Sequence, residues 1–488
     1  MTATQNIDEE TPLLTNGQSK KPTPLPWTQF SIVLFLQLAE PLTSNVIYPF
    51  MPQLIRDLGV TNGNDAAVGY YVGMMQSIFF LTQAFTVLHW ARLSDTIGRK
   101  PVILVGLSGL TVSMYCFGLS RTFWGLVLSR SLSGALNGNI GVIKSMMAEL
   151  TDETNLAQAY AYMPIAWSTG CTVGPIIGGS LSRPHEQYPW LFGDSEFHKK
   201  YPYFLACSIP ATFSAVAWLV TYRYLKETHS NPTPVKQFLG IEKKPLIDDD
   251  SDSDSDSVDS QKAKEERPGS LRSLLTPRVT VAATNYAFLS LVDIAFRAIQ
   301  PVFLSTPIEL GGLGLSPARI GSVLSMFGIL NGFFQVFFFA AIHNRFGSKR
   351  TFMMGIASAV PLFVCYPLMS VIAQRQGLSF LVWVLVYAQI ALSIGISLSY
   401  GSIFIFITAA SPNRASLGAT NGLCQVRAHW MTVSVMRAIG PAAANSLFSV
   451  SIEKGLLGGW LVYYVLLATT FVTLFVGTFL PQKLWTQN

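Results

Sequence analysis

Charge is scarce in this 488-residue sequence: Asp, Glu, Lys and Arg together make up 12% of it, while half of the residues are hydrophobic. A soluble domain carries about twice that charged fraction, so the apolar residues are too many for one water-facing core. Cysteine is also sparse. Cys116, Cys171, Cys207, Cys365 and Cys424 each lie in an apolar stretch, with no CxxC or metal-ligand spacing, and read as small buried hydrophobes. No metal site and no cofactor are expected. The chain has no G-x-x-x-x-G-K-[ST] loop, which excludes a P-loop ATP-driven pump. It has no HExxH, no GxSxG and no convergent set of catalytic side chains, so an enzyme is not expected. It has no N-x-[ST] acceptor and no cleavable signal peptide; the polar stretch 1–26 precedes the first apolar run, which serves as an uncleaved insertion signal. The net charge of +6 does not point to nucleic acid, because the basic residues fall in short clusters between apolar runs.

What the chain has instead is apolar runs of membrane-crossing length, about 20 residues each. They lie at roughly 29–50, 68–90, 101–119, 123–147, 158–181, 202–224, 279–303, 317–341, 351–373, 380–409, 417–450 and 458–480. The expected fold is all-α: twelve transmembrane helices in two pseudo-symmetric six-helix bundles. Residues 1–28 are expected to be a disordered cytosolic tail, 29–224 the first bundle, 225–277 a disordered acidic cytosolic linker, 278–481 the second bundle and 482–488 a cytosolic tail. The linker holds a run of Asp and Ser from Asp248 to Ser260. Placing both termini in the cytosol puts Arg92, Arg99, Lys100, Arg345, Lys349, Arg350 and the linker lysines inside, as the positive-inside rule favours.

The two halves repeat. Asp95-Thr-Ile-Gly98-Arg99-Lys100 follows span two, and Asn344-Arg-Phe-Gly347-Ser-Lys349-Arg350 follows span eight. Gly174-Pro175-Ile-Ile-Gly178-Gly179 stands in span five, and Gly440-Pro441-Ala-Ala-Ala444 in span eleven. Internal repeats with a substrate site between them are the usual construction of secondary transporters.

These motifs resemble the major facilitator superfamily over nearly the whole chain. Ala91-Arg-Leu-Ser-Asp95-Thr-Ile-Gly98-Arg99-Lys100 resembles the superfamily signature G-x-L-x-D-x-x-G-R-[RK], with Ala91 in place of its first Gly. Gly98 permits the tight reversal there, and Asp95 is expected to pair with Arg99 or to meet a neighbouring helix N-terminus; the bland alternative is plain positive-inside anchoring. Arg130-Ser-Leu-Ser-Gly134 resembles an R-x-x-x-G element implied in proton coupling. Gly170-Cys-Thr-Val-Gly174-Pro175-Ile-Ile-Gly178-Gly179 resembles the motif of the drug:proton antiporter branch, whose small residues otherwise read as generic tight packing. Glu40-Pro41 with Tyr48-Pro49-Phe50, Gly138 to Lys144, and Asn421-Gly422 with Arg437 to Pro441 look like the zinc-induced-facilitator-like group. The segment Val426-Arg-Ala-His-Trp430 departs from that group and disturbs span eleven.

A charge inside a span costs about 2.5–3.5 kcal/mol on insertion scales, so each one calls for a reason. At about 1.5 Å per residue, Glu40 and Arg130 reach similar depths from opposite sides, and they are read as a proton-coupling pair in a central cavity. Asp293 and Arg297, one turn apart in span seven, join them. Snorkelling accounts for Lys144 and Glu149. In the tail, Glu9-Glu10-Thr-Pro-Leu13-Leu14 resembles an acidic dileucine sorting signal.

The reading is a secondary active transporter: a proton-coupled antiporter that exports or sequesters a small organic molecule or metal chelator by alternating access, as a monomer in the vacuolar or plasma membrane. An uptake transporter or uniporter of the same fold, and a non-transporting receptor or scaffold, stay open. Expected partners are a small-molecule substrate, protons, the lipid bilayer, sorting adaptors at the tail and kinases at the linker, with no nucleic acid.

Overall fold

The computed structural model describes residues 23–152, 155–229, 276–410, 433–482 and 485, with backbone alone at 156–158, 160 and 161. The described chain is helical and crosses the membrane twelve times. Span one is broken, Trp27–Gln37 then Ala39–Asn45, and is followed by the short helix Met51–Asp57. Spans two and three are Val68–Ile97 and Arg99–Leu119. Span four is broken at Asn137 and Gly138 into Phe123–Leu136 and Asn139–Leu150. Spans five and six are Leu156–Leu181 and Phe204–Tyr224. Span seven is Pro277–Ser305. Span eight begins with Pro317–Phe337 and continues into Phe339–Ala357, which bends at Gly347; beyond that bend it becomes span nine, completed by Ala359–Gln376. Spans ten, eleven and twelve are Phe380–Ala410, Val433–Glu453 and Leu461–Thr478.

Eight helical stretches among the described residues are long and apolar enough to cross a bilayer on those grounds alone. The pieces of spans one and four are too short to qualify singly. Spans five and eleven are long enough but are diluted by Gly, Ser, Ala and Pro. Their positions explain this. Span five packs on span eight, and span two on span eleven, at the junction of the two bundles. Between helices in lipid, small residues that permit close backbone approach contribute more than bulky apolar ones. The outward faces carry bulky apolar residues instead: Phe85, Trp124, Leu128 and Phe380 are each exposed by 70% or more, as lipid contact requires.

The expected boundaries of span eleven, 417–450, differ from the described helix, Val433–Glu453. Residues 411–432, including Asn421, Gly422 and the Val426–Trp430 segment, lie outside the described residues, as do the dileucine pattern and the Asp/Ser run.

Polar contacts join the bundles at the end that bears Arg56. Arg56 donates to the Ser305 hydroxyl (2.7 Å) and carbonyl (2.9 Å) while pairing with Asp65 at 2.7 Å. Asn64 and Tyr70 both donate to Glu453, each at 3.2 Å. Nearer the middle, Ser77 Oγ accepts from the Ala442 amide and Asn445 donates to Gln76. Beside Arg56, Asp57 accepts from the Tyr203 hydroxyl; burial, then the Asp57 charge, pushes that phenol well above its ordinary range.

Candidate functional site

The glycines of span five set how span one lies. A Cβ on Gly170 would meet the Pro41 ring at 2.6 Å, one on Gly174 would meet Asn45 and Val46 at 3.1 Å, and one on Gly178 would fall 1.8 Å from the Val46 carbonyl oxygen. Four-residue spacing puts these three on one face, and that face carries the helix segment that holds Glu40. Gly179 and Pro175 turn toward span eight, where a Cβ on Gly179 would meet the Pro317 carbonyl at 2.6 Å. The second half repeats the arrangement with span eleven on span seven: Gly440 lies against Ile294, next to Asp293, and Pro441 lends its carbonyl to the close approach of Gly73.

Five charged side chains meet between the bundles. Asp293, 8% exposed, is fully engaged: Arg297 Nε donates to one carboxylate oxygen at 2.9 Å and the Tyr400 hydroxyl to the other at 3.1 Å. The Arg297 guanidinium also lies over the Phe327 ring, 4.6 Å from its centroid. Arg130 mirrors this over Phe79, again at 4.6 Å, a desolvated cation–π contact. Arg130 is 3% exposed, yet its Nε has no hydrogen-bond partner and its guanidinium donates to nothing among the described residues. Glu40 is half-buried and makes no ion pair within 4 Å among the described residues. The charges that act on it are Arg437, then Arg130. Arg437 donates from Nε to Ser290 Oγ at 3.1 Å and lies beside Tyr286 and Tyr400. The structure thus brings Asp293 and Arg297 into direct contact. It sets Glu40 and Arg130 near each other without contact.

The sequence named Arg437 only within the span-eleven element and not among the charges of the central site. The test that singled out Glu40, a charge inside an apolar span, applied to it equally, but the unclear start of span eleven hid its depth.

At the opposite end from Arg56, Gly98 adopts φ 101° and Gly347 φ 77°, the left-handed region that glycine tolerates. Arg99, 8% exposed, is surrounded by acceptors: Ser94 Oγ at 2.8 Å, Glu149 at 2.9 Å, and Asp95. Of the two expectations for Asp95, the Arg99 pair is the one formed. The helix N-terminus is met by Glu227, which accepts from the amides of Arg99 (2.8 Å) and Lys100 (3.0 Å). A carboxylate there satisfies orphan donors and the positive end of the helix dipole. Glu149 is thus a partner of a buried arginine, and snorkelling is not its explanation. Lys144 lies over the Phe404 ring at 5.9 Å. In the second half Asn344 replaces the acid, and no acidic partner of Lys349 or Arg350 is found among the described residues. The lysines still correspond. Lys100 donates to the Tyr222 carbonyl near the end of span six (2.9 Å), and Lys349 to that of Thr478, closing span twelve (2.6 Å).

Comparison with known proteins agrees with this architecture. The sequence pattern of the Major Facilitator Superfamily matches residues 33–441. The chain is 30% identical to Protein ZINC INDUCED FACILITATOR-LIKE 1 of Arabidopsis thaliana, over 90% of this chain and 88% of that protein. It is 26% identical to the Major facilitator superfamily multidrug transporter mfsB of Aspergillus fumigatus, over 88% of this chain and 80% of that protein. Among solved structures, a D-xylose-proton symporter shares the fold, with a TM-score of 0.62 and 13% identity over 94% of this chain and 99% of that one.

Proposed function

This chain belongs to the Major Facilitator Superfamily, and on that premise we propose that it is a proton-coupled antiporter that moves a small organic molecule or chelator out of the cytosol. It is an integral multi-pass membrane transporter, not an enzyme. The finer reading is carried by one observation: the glycine face of span five presses on the span-one segment that holds Glu40. Movement of span five is therefore felt at the carboxylate, which is the linkage that coupling a proton to alternating access requires. Relatives named as a multidrug transporter and as an efflux pump favour the outward direction.

In this reading Glu40 carries the proton and Arg130 and Arg437 are its counter-charges. Asp293, already bound by Arg297 and Tyr400, holds the second bundle's charges in place. With the termini in the cytosol, the Arg56–Ser305 end faces outward, and hydrogen bonds between the bundles hold that side together in the state described here. Asp95, Gly98, Arg99 and Lys100 then form the inner gate. The vacuolar or plasma membrane is the expected site, reached through the Glu9/Leu13/Leu14 signal and its adaptors, with kinases acting on the linker and the chain working as a monomer.

The test is flux in proteoliposomes with and without a pH gradient. Wild type should accumulate substrate against its gradient when protons flow the other way, and Glu40→Gln should lose this while keeping exchange at equal pH. Each elementary charge moved through 100 mV contributes about 2.3 kcal/mol, so the gradient must be varied at fixed potential. Equal gradient-driven transport by both proteins removes Glu40 from the mechanism, and a wild type indifferent to pH removes proton coupling.

A further inference from the structure

We infer that the substrate carries an acid group, a carboxylate or phosphate, which is held between Arg130 and Arg437; this deepens the transport reading above and rests on it.

The argument starts from charge. Three arginines, Arg130, Arg297 and Arg437, face two carboxylates, Glu40 and Asp293, between the bundles. Asp293 has both oxygens occupied by Arg297 and Tyr400, and its charge is also felt at Arg437. Glu40 feels the charges of Arg437 and Arg130 but pairs with neither within 4 Å. The arginines and carboxylates of the region leave one cation in excess.

The second observation is independent of the count. Arg130 is 3% exposed and donates no hydrogen bond among the described residues. A guanidinium has five N–H donors in a planar fork suited to a carboxylate or phosphate. Leaving buried charged donors unmet costs more than leaving neutral ones. Arg130 lies over the Phe79 ring, and the acceptors that act on it electrostatically, Tyr48 and Glu40, make no hydrogen bond to it, so its donors are free for an acceptor that arrives with the cargo.

The position matters as much as the charge. Arg130 stands on span four of the first bundle and Arg437 on span eleven of the second. An acid group bridging them is held by one arginine from each half, so its binding draws the halves together. Under the antiport reading the same molecule also presents a positive group to Glu40, because only a competitor for that carboxylate drives its proton off.

The full-length protein in nanodiscs tests this with a matched set: 3-phenylpropionate, its methyl ester, 2-phenylethylamine and phenylalanine, each titrated against thermal unfolding at fixed pH. The acid or phenylalanine should stabilise, and the ester and the amine should not. Arg130→Gln and Arg437→Gln should each weaken that binding by about tenfold or more, as expected for a charge-assisted hydrogen bond. Arg437→Lys keeps the charge without the fork, guards against a glutamine variant that merely misfolds, and should bind the acid more tightly than Arg437→Gln but less tightly than wild type. Stabilisation by ester or amine equal to that by the acid, no stabilisation by any of the four, or acid binding unchanged in both glutamine variants overturns the inference. The coupling mode is read separately, as protons released on binding in weak buffer. Release with phenylalanine supports antiport, and acid binding without release from either acid compound keeps the arginine site while rejecting antiport.

Discussion

Removing Glu149 should harm the fold more than neutralising Asp95, although Asp95 is the residue of the recognisable motif. Both carboxylates accept from Arg99. Their surroundings differ. The Asp95 side chain is 63% exposed, that of Glu149 27%, and that of Arg99 10%. An ion pair with one partner largely in solvent contributes about 0–1 kcal/mol, so Asp95→Asn should cost less than about 1 kcal/mol. Glu149 is less screened and accepts from both Nε and Nη2 of Arg99, at 3.0 and 2.9 Å, and from the Thr228 hydroxyl. Glu149→Ala leaves a buried guanidinium with two unmet donors. Full loss of a buried partner costs about 3–5 kcal/mol; discounted for the partial exposure of Glu149, about 2–3 kcal/mol is expected. The assay is denaturant unfolding of purified protein in mixed micelles, with substrate flux measured in parallel. Asp95→Asn should insert and unfold nearly as wild type does, yet transport poorly, because its contact belongs to the turn that moves. Asp95→Asn destabilising as much as Glu149→Ala would refute the burial argument. Normal flux by Asp95→Asn at normal abundance would refute the gating role.

Two further outcomes follow from close contacts. Gly178→Val places side-chain carbon where the Val46 carbonyl already lies, 1.8 Å from an ideal Cβ; forcing spans one and five apart should cost about 1–3 kcal/mol and abolish flux, and a variant with normal unfolding and normal flux counters the packing assignment. Arg56→Ala removes two hydrogen bonds to Ser305 across the bundles, so a cysteine introduced at Thr306, 2% exposed in this state, should label faster with a membrane-impermeant maleimide; an unchanged rate means that Arg56 does not latch that end.

The architecture was legible because lipid imposes simple demands. Each span announces itself by length and hydropathy, and the repeated turns and Gly-Pro elements reveal the two halves. The breaks in spans one and four went unread although signals stand there: Pro41 has no N–H for the Gln37 carbonyl, and Asn137-Gly138 is a turn-forming dipeptide. Glu40, Arg130, Asp293 and Arg297 stood out as charges in apolar surroundings. The Asp293–Arg297 pair was legible from its one-turn spacing, but contacts between helices were not, because depth says nothing of azimuth: Tyr400 meets Asp293, and the charge of Arg437 from the other half acts on Glu40. Glu227 was invisible for a related reason. It sits where the polar linker begins, and only the return of span six beside span three makes it a cap.

Lys100 and Lys349 each tie the start of a third helix to the final turns of the sixth helix in the same bundle. A tie of this kind closes a loop of helices on itself, like a strap around a sheaf. Within a strapped sheaf, neighbouring helices resist fanning apart, and the softest remaining displacement is a tilt of one whole sheaf against the other. A passage through this molecule is therefore expected to open along the seam between the sheaves, where the small-residue faces, Arg130 and Arg437 lie, and not between helices of one bundle.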